Sequence, residues 1–133
     1  MALRSGVTNN KKSCILKITE KTLAEFSRRL LERVARKYGG DCTVNELRVM
    51  NAAYCFSYND KQCTPTLLAQ NTGIPKSTVS RSLASLIEKG WLTDEQDPED
   101  RRRRIIRLSE KCLQSQPTDF GDSVTWLEEA MGE

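Results

Sequence analysis

Apolar positions along this chain recur mostly at helical spacing. From Thr19 to Tyr38, the residues Leu23, Phe26, Leu30, Val34 and Tyr38 return every three or four positions, and charged side chains fill the opposite face. This spacing predicts a helix, stopped by "YGGD" with Gly39 as a left-handed cap. "TVNELRVMNAAYCF" starts a second helix. Thr43 with Glu46 three residues later is a capping-box pattern, Leu47, Met50 and Tyr54 form its buried stripe, and Cys55 reads as core. "SYNDKQ" is a turn-rich break. A short helix follows, capped by Thr64, with Pro65 at its first position and Asn71 and Gly73 at its end. Pro75 then opens another, running to about Lys89 and closed by Gly90. Two helices joined by a tight glycine-containing turn are the signature of a helix-turn-helix.

The pattern then changes period. "WLTDEQ" and "RRIIRLS" are short strand candidates joined by "DPEDRR", where Asp97-Pro98 favours a turn. Ile106 and Leu108 share one face of the return strand and Arg107 takes the other, while Trp91 and Leu92 anchor the first strand. A hairpin directly after a helix-turn-helix is a wing, and here it would carry Arg101, Arg102, Arg103 and Arg104 at its tip. Beyond it, "LSEKCLQSQPTDF" is interrupted at Pro117. Phe120, Val124, Leu127 and Met131, with Trp126 beside them, predict a short final helix that must pack on its own core or on a partner subunit. The fold class expected is mainly α with a small β-hairpin, a winged helix-turn-helix with flanking N- and C-terminal helices.

The helix from Pro75 carries candidate chemistry. Val79, Leu83, Leu86 and Ile87 fall on its core side; Ser77, Thr78, Arg81, Ser82 and Ser85 fall on the other. Short hydroxyl side chains let a helix sink into a major groove, where they bond to phosphates or base edges and an arginine pairs with guanine. The bland alternative is a surface helix that happens to be serine-rich. The arginine run suits a DNA backbone or a narrow minor groove, whose negative potential attracts arginine. Asp94, Glu95, Asp97, Glu99 and Asp100 stand beside it. An acid can hold a guanidinium in one pose and leave part of its donor fork free, or the stretch can be a self-neutralised loop of exposed pairs worth roughly 0–1 kcal/mol each.

Composition mainly excludes. The chain has 133 residues, 38% hydrophobic and 29% charged, which suits one globular domain, and its net charge of +3 says little alone. No run approaches the ~20 apolar residues of a membrane span, and "MALRSGVTNNKKS" lacks the apolar stretch of a secretory signal, so a cytoplasmic protein is expected. There is no histidine, no paired C-x-x-C and no phosphate-binding glycine loop, which argues against an enzyme, a metal site or a cofactor. The five cysteines are odd in number and irregular in spacing. Two are candidate redox thiols: Cys14, near Lys11, Lys12 and Lys17, and Cys42, just before a helix N-terminus that favours thiolate.

The stretch from Thr66 to Lys111 resembles the winged-helix core of the multiple-antibiotic-resistance regulator (MarR) family. "KSTVSRSLASLIEKG" matches its recognition helix, "DPEDRR" its wing and "RLSEK" its exit, while "TVNELRVM" resembles the helix that comes before. The resemblance implies a homodimeric transcription regulator on a pseudo-palindromic operator of double-stranded DNA, with recognition helices in major grooves and wings in flanking minor grooves. Lys76, Ser77, Thr78, Ser80, Arg81 and Ser85 would be its recognition-helix contacts, Ser80 lying nearer the buried edge by face count. In the wing, the family's Asp-x-Arg pattern falls on Asp100 and Arg102, with Arg102 in the minor groove and Asp100 orienting it. A small-molecule effector, commonly an anionic aromatic, is also implied. The division expected is an N-terminal arm (1–18), a helical dimerisation and core part (19–60), the winged DNA-binding core (61–111) and a short C-terminal helix (112–133) that joins the dimer. The competing reading is a winged helix that contacts another protein instead of DNA.

Overall fold

The computed structural model describes residues 18–132, with only the backbone described at 116–123 and 130–132. The described chain forms α1 (Glu20–Tyr38), α2 (Val44–Tyr58), α3 (Pro65–Thr72), α4 (Lys76–Glu88), β1 (Leu92–Asp97), β2 (Asp100–Leu108) and α5 (Glu110–Gly132). It divides into two units. One holds α1 up to Lys37 with α5 from Thr118; the other runs from Tyr38 to Pro117.

The second unit begins and ends its helices where local chemistry says it should. The Thr43 side chain accepts the Glu46 N–H at 3.0 Å, and Thr64 accepts that of Leu67 at 3.2 Å, each satisfying an orphan donor of a first turn. Gly39 and Gly73 take the left-handed conformation, at φ +76° and +75°, that side-chain-bearing residues avoid. The capping box at Thr43 is only half made. The Glu46 carboxylate turns away to Lys89 on the far side of the unit, 2.8 Å from its Nζ.

Around these ends α2 packs on α3 and α4, α4 on β1, and β2 on α2 and α3. Val49, Met50, Leu68, Val79, Leu83, Leu86, Leu92 and Cys112 are fully enclosed. Burying each large aliphatic side chain contributes about 1.5–3 kcal/mol. Tyr54 and Tyr38 share a buried hydroxyl–hydroxyl contact of 3.0 Å, and Tyr54 Oη also lies 3.0 Å from Cys112 Sγ. Tyr38 meets the Trp91 ring edge-on at 4.8 Å, and Lys111 Nζ sits 3.9 Å above that ring.

The hairpin pairs antiparallel from Leu92↔Leu108 to Asp97↔Asp100, with an irregularity at Gln96/Asp97. It is longer than the sequence suggested. Arg101 and Arg102 lie within β2 with Arg103 and Arg104, not in the connection, and the turn narrows to Pro98 and Glu99. The Asp97 carboxylate closes it by accepting the Glu99 N–H at 2.9 Å. A bridge from Cys63 to Ile106, with the Ile106 N–H donating to the Cys63 carbonyl at 2.8 Å, ties the outer edge of β2. Ile105 is buried along with Ile106 and Leu108, so strict alternation fails there. The architecture is a winged helix-turn-helix.

Other expectations are corrected. The helix after the wing does not stop at Pro117; α5 runs unbroken from Glu110 to Gly132. A proline lacks one N–H donor, and a long helix tolerates that loss. Cys55 is exposed, because it sits one position, about 100° of helix, beyond buried Tyr54. In the first unit, the stripe of α1 is only partly covered, and an apolar residue beside it is open. Leu23 and Leu31 are more than half exposed, Phe26, Leu30 and Val34 are half-buried, and Val124 of α5 is exposed too. The side chains of Phe120 and Met131 lie outside those described.

Candidate nucleic-acid interface

The α3–α4 turn is set by one threonine. Thr72 Oγ1 donates to the Leu68 carbonyl at 2.7 Å and accepts the Ile74 N–H at 3.2 Å, and the Gly73 N–H reaches the Ala69 carbonyl at 2.9 Å. The turn delivers Pro75 to the N-cap of α4, which carries no side-chain cap. Arg48 of α2 reaches across to the same turn: its Nη2 donates to the Thr72 carbonyl at 2.7 Å and its Nη1 to Asn45 Oδ1 at 3.2 Å.

The outer face of α4 presents Lys76, Ser77, Ser80 and Arg81 to solvent, with Thr78 and Ser85 half-buried at its edges. Arg81 Nη2 donates to Thr78 Oγ1 at 3.3 Å, which leans the guanidinium along the helix. Ser80 is exposed rather than set toward the buried edge. Ser82, assigned from sequence to the outer side, is buried. Residues 79, 82, 83 and 86 form one i, i+3, i+4, i+7 row, and a serine is small enough to join it.

Behind α4, Lys89 clamps it to the start of α2. Its Nζ lies 2.8 Å from Glu46 Oε1, 3.2 Å from the Asp41 carbonyl and 3.7 Å from Cys42 Sγ. Burial pushes the Glu46 carboxyl up, but hydrogen bonding and charge from Lys89 outweigh it and hold the group below the ordinary carboxylate value. The hydrogen bond that Lys89 donates to Glu46 raises the Lys89 ammonium. At Cys42, burial pushes the thiol up against the opposing pull of Lys89, the direction opposite to an activated thiolate. Burial likewise pushes Cys63 up to about 12. Cys14 lies outside the described residues.

The wing arginines divide by partner. Arg104 pairs with Asp94, Nε to Oδ2 at 2.8 Å, and Arg107 pairs with Glu95 at 2.8 Å, each across the hairpin. Arg103 bonds Gln62 at 2.7 Å and lies 3.7 Å from Asp97. Arg102 differs. Its Nε is 3.5 Å from Asp100 Oδ1, which also accepts its backbone N–H at 3.0 Å, yet its side chain is 93% exposed. Arg101 is exposed and has no acidic partner among the described residues. The sequence missed Gln62 and Arg48 as parts of this surface, and the Glu46–Lys89 pair as its support from behind, since each acts on a group far along the chain.

The first unit carries a cavity of about 320 Å³, lined by Phe26, Arg29, Arg33, Arg36 and Trp126 among others. Phe26 stacks on Trp126 at 5.6 Å, and the Arg29 guanidinium lies 4.7 Å over the same indole. Among the described residues no group of side chains is arranged to hold a metal ion.

Residues 56–103 match the family described as MarR. No curated protein matches the chain. Among solved structures, a mutant MepR from S. aureus bound to an oligodeoxyribonucleotide is 19% identical, with 85% of this chain and 81% of that one covered and a TM-score of 0.64. A transcriptional regulator from Thermotoga maritima is 24% identical, covers 83% and 75%, and has a TM-score of 0.61. A mutant MarR from E. coli complexed with operator DNA is 19% identical, covers 82% and 76%, and has a TM-score of 0.56. At these identities the likeness concerns the fold, and it agrees with the helix order and hairpin described above. The likeness to the MarR family thus rests on the winged helix, residues 56–103.

Proposed function

We propose that this protein is a sequence-specific, duplex-DNA-binding transcription regulator that acts as a homodimer on a pseudo-palindromic operator. α4 enters the major groove through Lys76, Ser77, Thr78, Ser80, Arg81 and Ser85, and β2 brings Arg101 and Arg102 to the flanking minor groove with Asp100 as the orienting group. Arg103 and Arg104 flank that contact and are held back by their own partners. The observation that carries this reading is the outer face of α4: exposed, short-toothed, hydroxyl-bearing and tipped with arginine, directly beside a wing with a 93% exposed arginine. Two of the similar folds are bound to DNA, which supports it.

A winged helix used for protein contact would offer an apolar surface at this place. Ser77, Ser80 and Arg81 make it polar instead. The dimer draws support from the uncovered apolar side chains Leu23, Leu31 and Val124, which leave the first unit's helices with a face to bury. A central winged core for DNA and terminal helices for dimerisation follow as the division of labour. An anionic aromatic effector, the class the family resemblance implies, would find both ring and guanidinium partners in the cavity at Trp126. No described helix is long and apolar enough to cross a membrane, in keeping with a regulator that reaches DNA in the cytoplasm. The reading is tested by fluorescence anisotropy of labelled duplexes titrated with protein at several salt concentrations. Binding that weakens steeply with salt, and more tightly to some sequences than to others, is the expected outcome; no binding at low salt rejects it.

A further inference from the structure

We infer that Arg48, outside the helix-turn-helix and the wing, contacts a DNA phosphate beside the start of the recognition helix. The inference rests on the duplex-binding reading above. Arg48 belongs to α2, yet its Nη2 bonds the Thr72 carbonyl 24 residues away, at the turn that launches α4. Recognition helices meet base edges with their N-terminal residues, so the turn before them lies over the sugar-phosphate backbone. A guanidinium fixed to that turn is fixed over phosphates.

The charge state of its surroundings separates Arg48 from five other exposed arginines. Arg28, Arg36, Arg103, Arg104 and Arg107 each stand within 4 Å of a carboxylate. The two hydrogen-bond partners of Arg48 are neutral: the Asn45 amide oxygen and the Thr72 carbonyl. Both hold the side chain without cancelling its charge. Its remaining N–H groups face solvent, since the residue is exposed. A planar fork pre-oriented in this way loses little conformational freedom on meeting a phosphate. The same bond to Thr72 also helps position α4, so a loss of affinity alone would not reveal a contact.

Salt dependence distinguishes the two roles, because only a phosphate contact releases counterions. For Arg48→Ala, the slope of log affinity against log salt is expected to become shallower by about 0.9, with binding to specific and random duplexes weakened by the same factor, about tenfold near 0.1 M salt. Arg48→Lys, which keeps the charge, is expected to restore most of the slope. Weaker binding by Arg48→Ala with an unchanged slope would mean that the residue only holds the turn, and would overturn the contact. Unchanged affinity would overturn it as well. A parent chain that binds no duplex removes the duplex-binding reading and this contact together, whereas a binding parent with a slope indifferent to Arg48 removes the contact alone.

Discussion

The Asp100 carboxylate holds Arg102 twice, accepting its backbone N–H at 3.0 Å and standing 3.5 Å from its Nε. This arrangement aims a guanidinium that is otherwise open to water. Arg102→Ala should therefore weaken duplex binding by about tenfold near 0.1 M salt and reduce the salt slope by about 0.9. Arg104→Ala is the comparison. Its guanidinium is already committed to Asp94, so its loss should cost less affinity than that of Arg102. Equal losses in an anisotropy titration would show that the pairing does not sort the wing arginines.

Arg81 stands on the outer face of α4, steadied by Thr78 at 3.3 Å. An arginine that reads guanine in the major groove contributes about 1–3 kcal/mol of discrimination. Arg81→Ala should relax the preference at one base pair of each half-site by about 10- to 100-fold. A variant equally weakened on every sequence would place Arg81 on phosphate instead.

Glu46 and Lys89 join α2 to α4 behind the recognition face. Because the Glu46 carboxyl is depressed when folded, its stabilisation is present in full above the ordinary value of 4.5 and is lost as the pH falls through the lower folded value. Lys89 is raised, so its share persists up to the ordinary 10.5 and is lost above it. Glu46→Gln should lower the Tm by several degrees at pH 7, and parent and variant should converge as the pH is taken well below 4.5. A Tm difference that stays constant down to acid pH would mean that the pair's charge is not what stabilises the contact.

Thiol chemistry should follow exposure and burial. Cys55 is exposed, Cys42 is half-buried with its thiol raised, and Cys63 and Cys112 are buried. A disulfide reagent at pH 8 should label Cys55 well before Cys42, and should reach Cys63 and Cys112 only on unfolding. Peptide mapping after timed labelling gives the order. Fast labelling of Cys42 would restore it as a sensor candidate.

Local signals were the legible part of this fold. Thr43, Thr64, Gly39 and Gly73 act through neighbours within a turn or two, so their roles can be read off the chain. Ser82 misled because chemistry type was set above position: a hydroxyl looked outward although its row was the buried one. Arg101 and Arg102 looked like part of the turn because both faces of β2 are wet there, so no alternation marks a strand. Pro117 looked like a stop because the sequence does not show how a long helix tolerates one missing bond. Partnerships such as Lys89 with Glu46 or Arg48 with Thr72 join residues far apart in the chain, and only the packing of α2 on α3 and α4 brings them together.

The most direct test of duplex reading by α4 and the wing is selection of bound sites from a random duplex pool with the purified protein. The account expects enrichment of an inverted repeat whose half-sites lie about one helical turn apart, as two recognition helices in successive major grooves require. A pool that emerges without any enriched sequence, at a salt concentration low enough to retain non-specific binding, would contradict it.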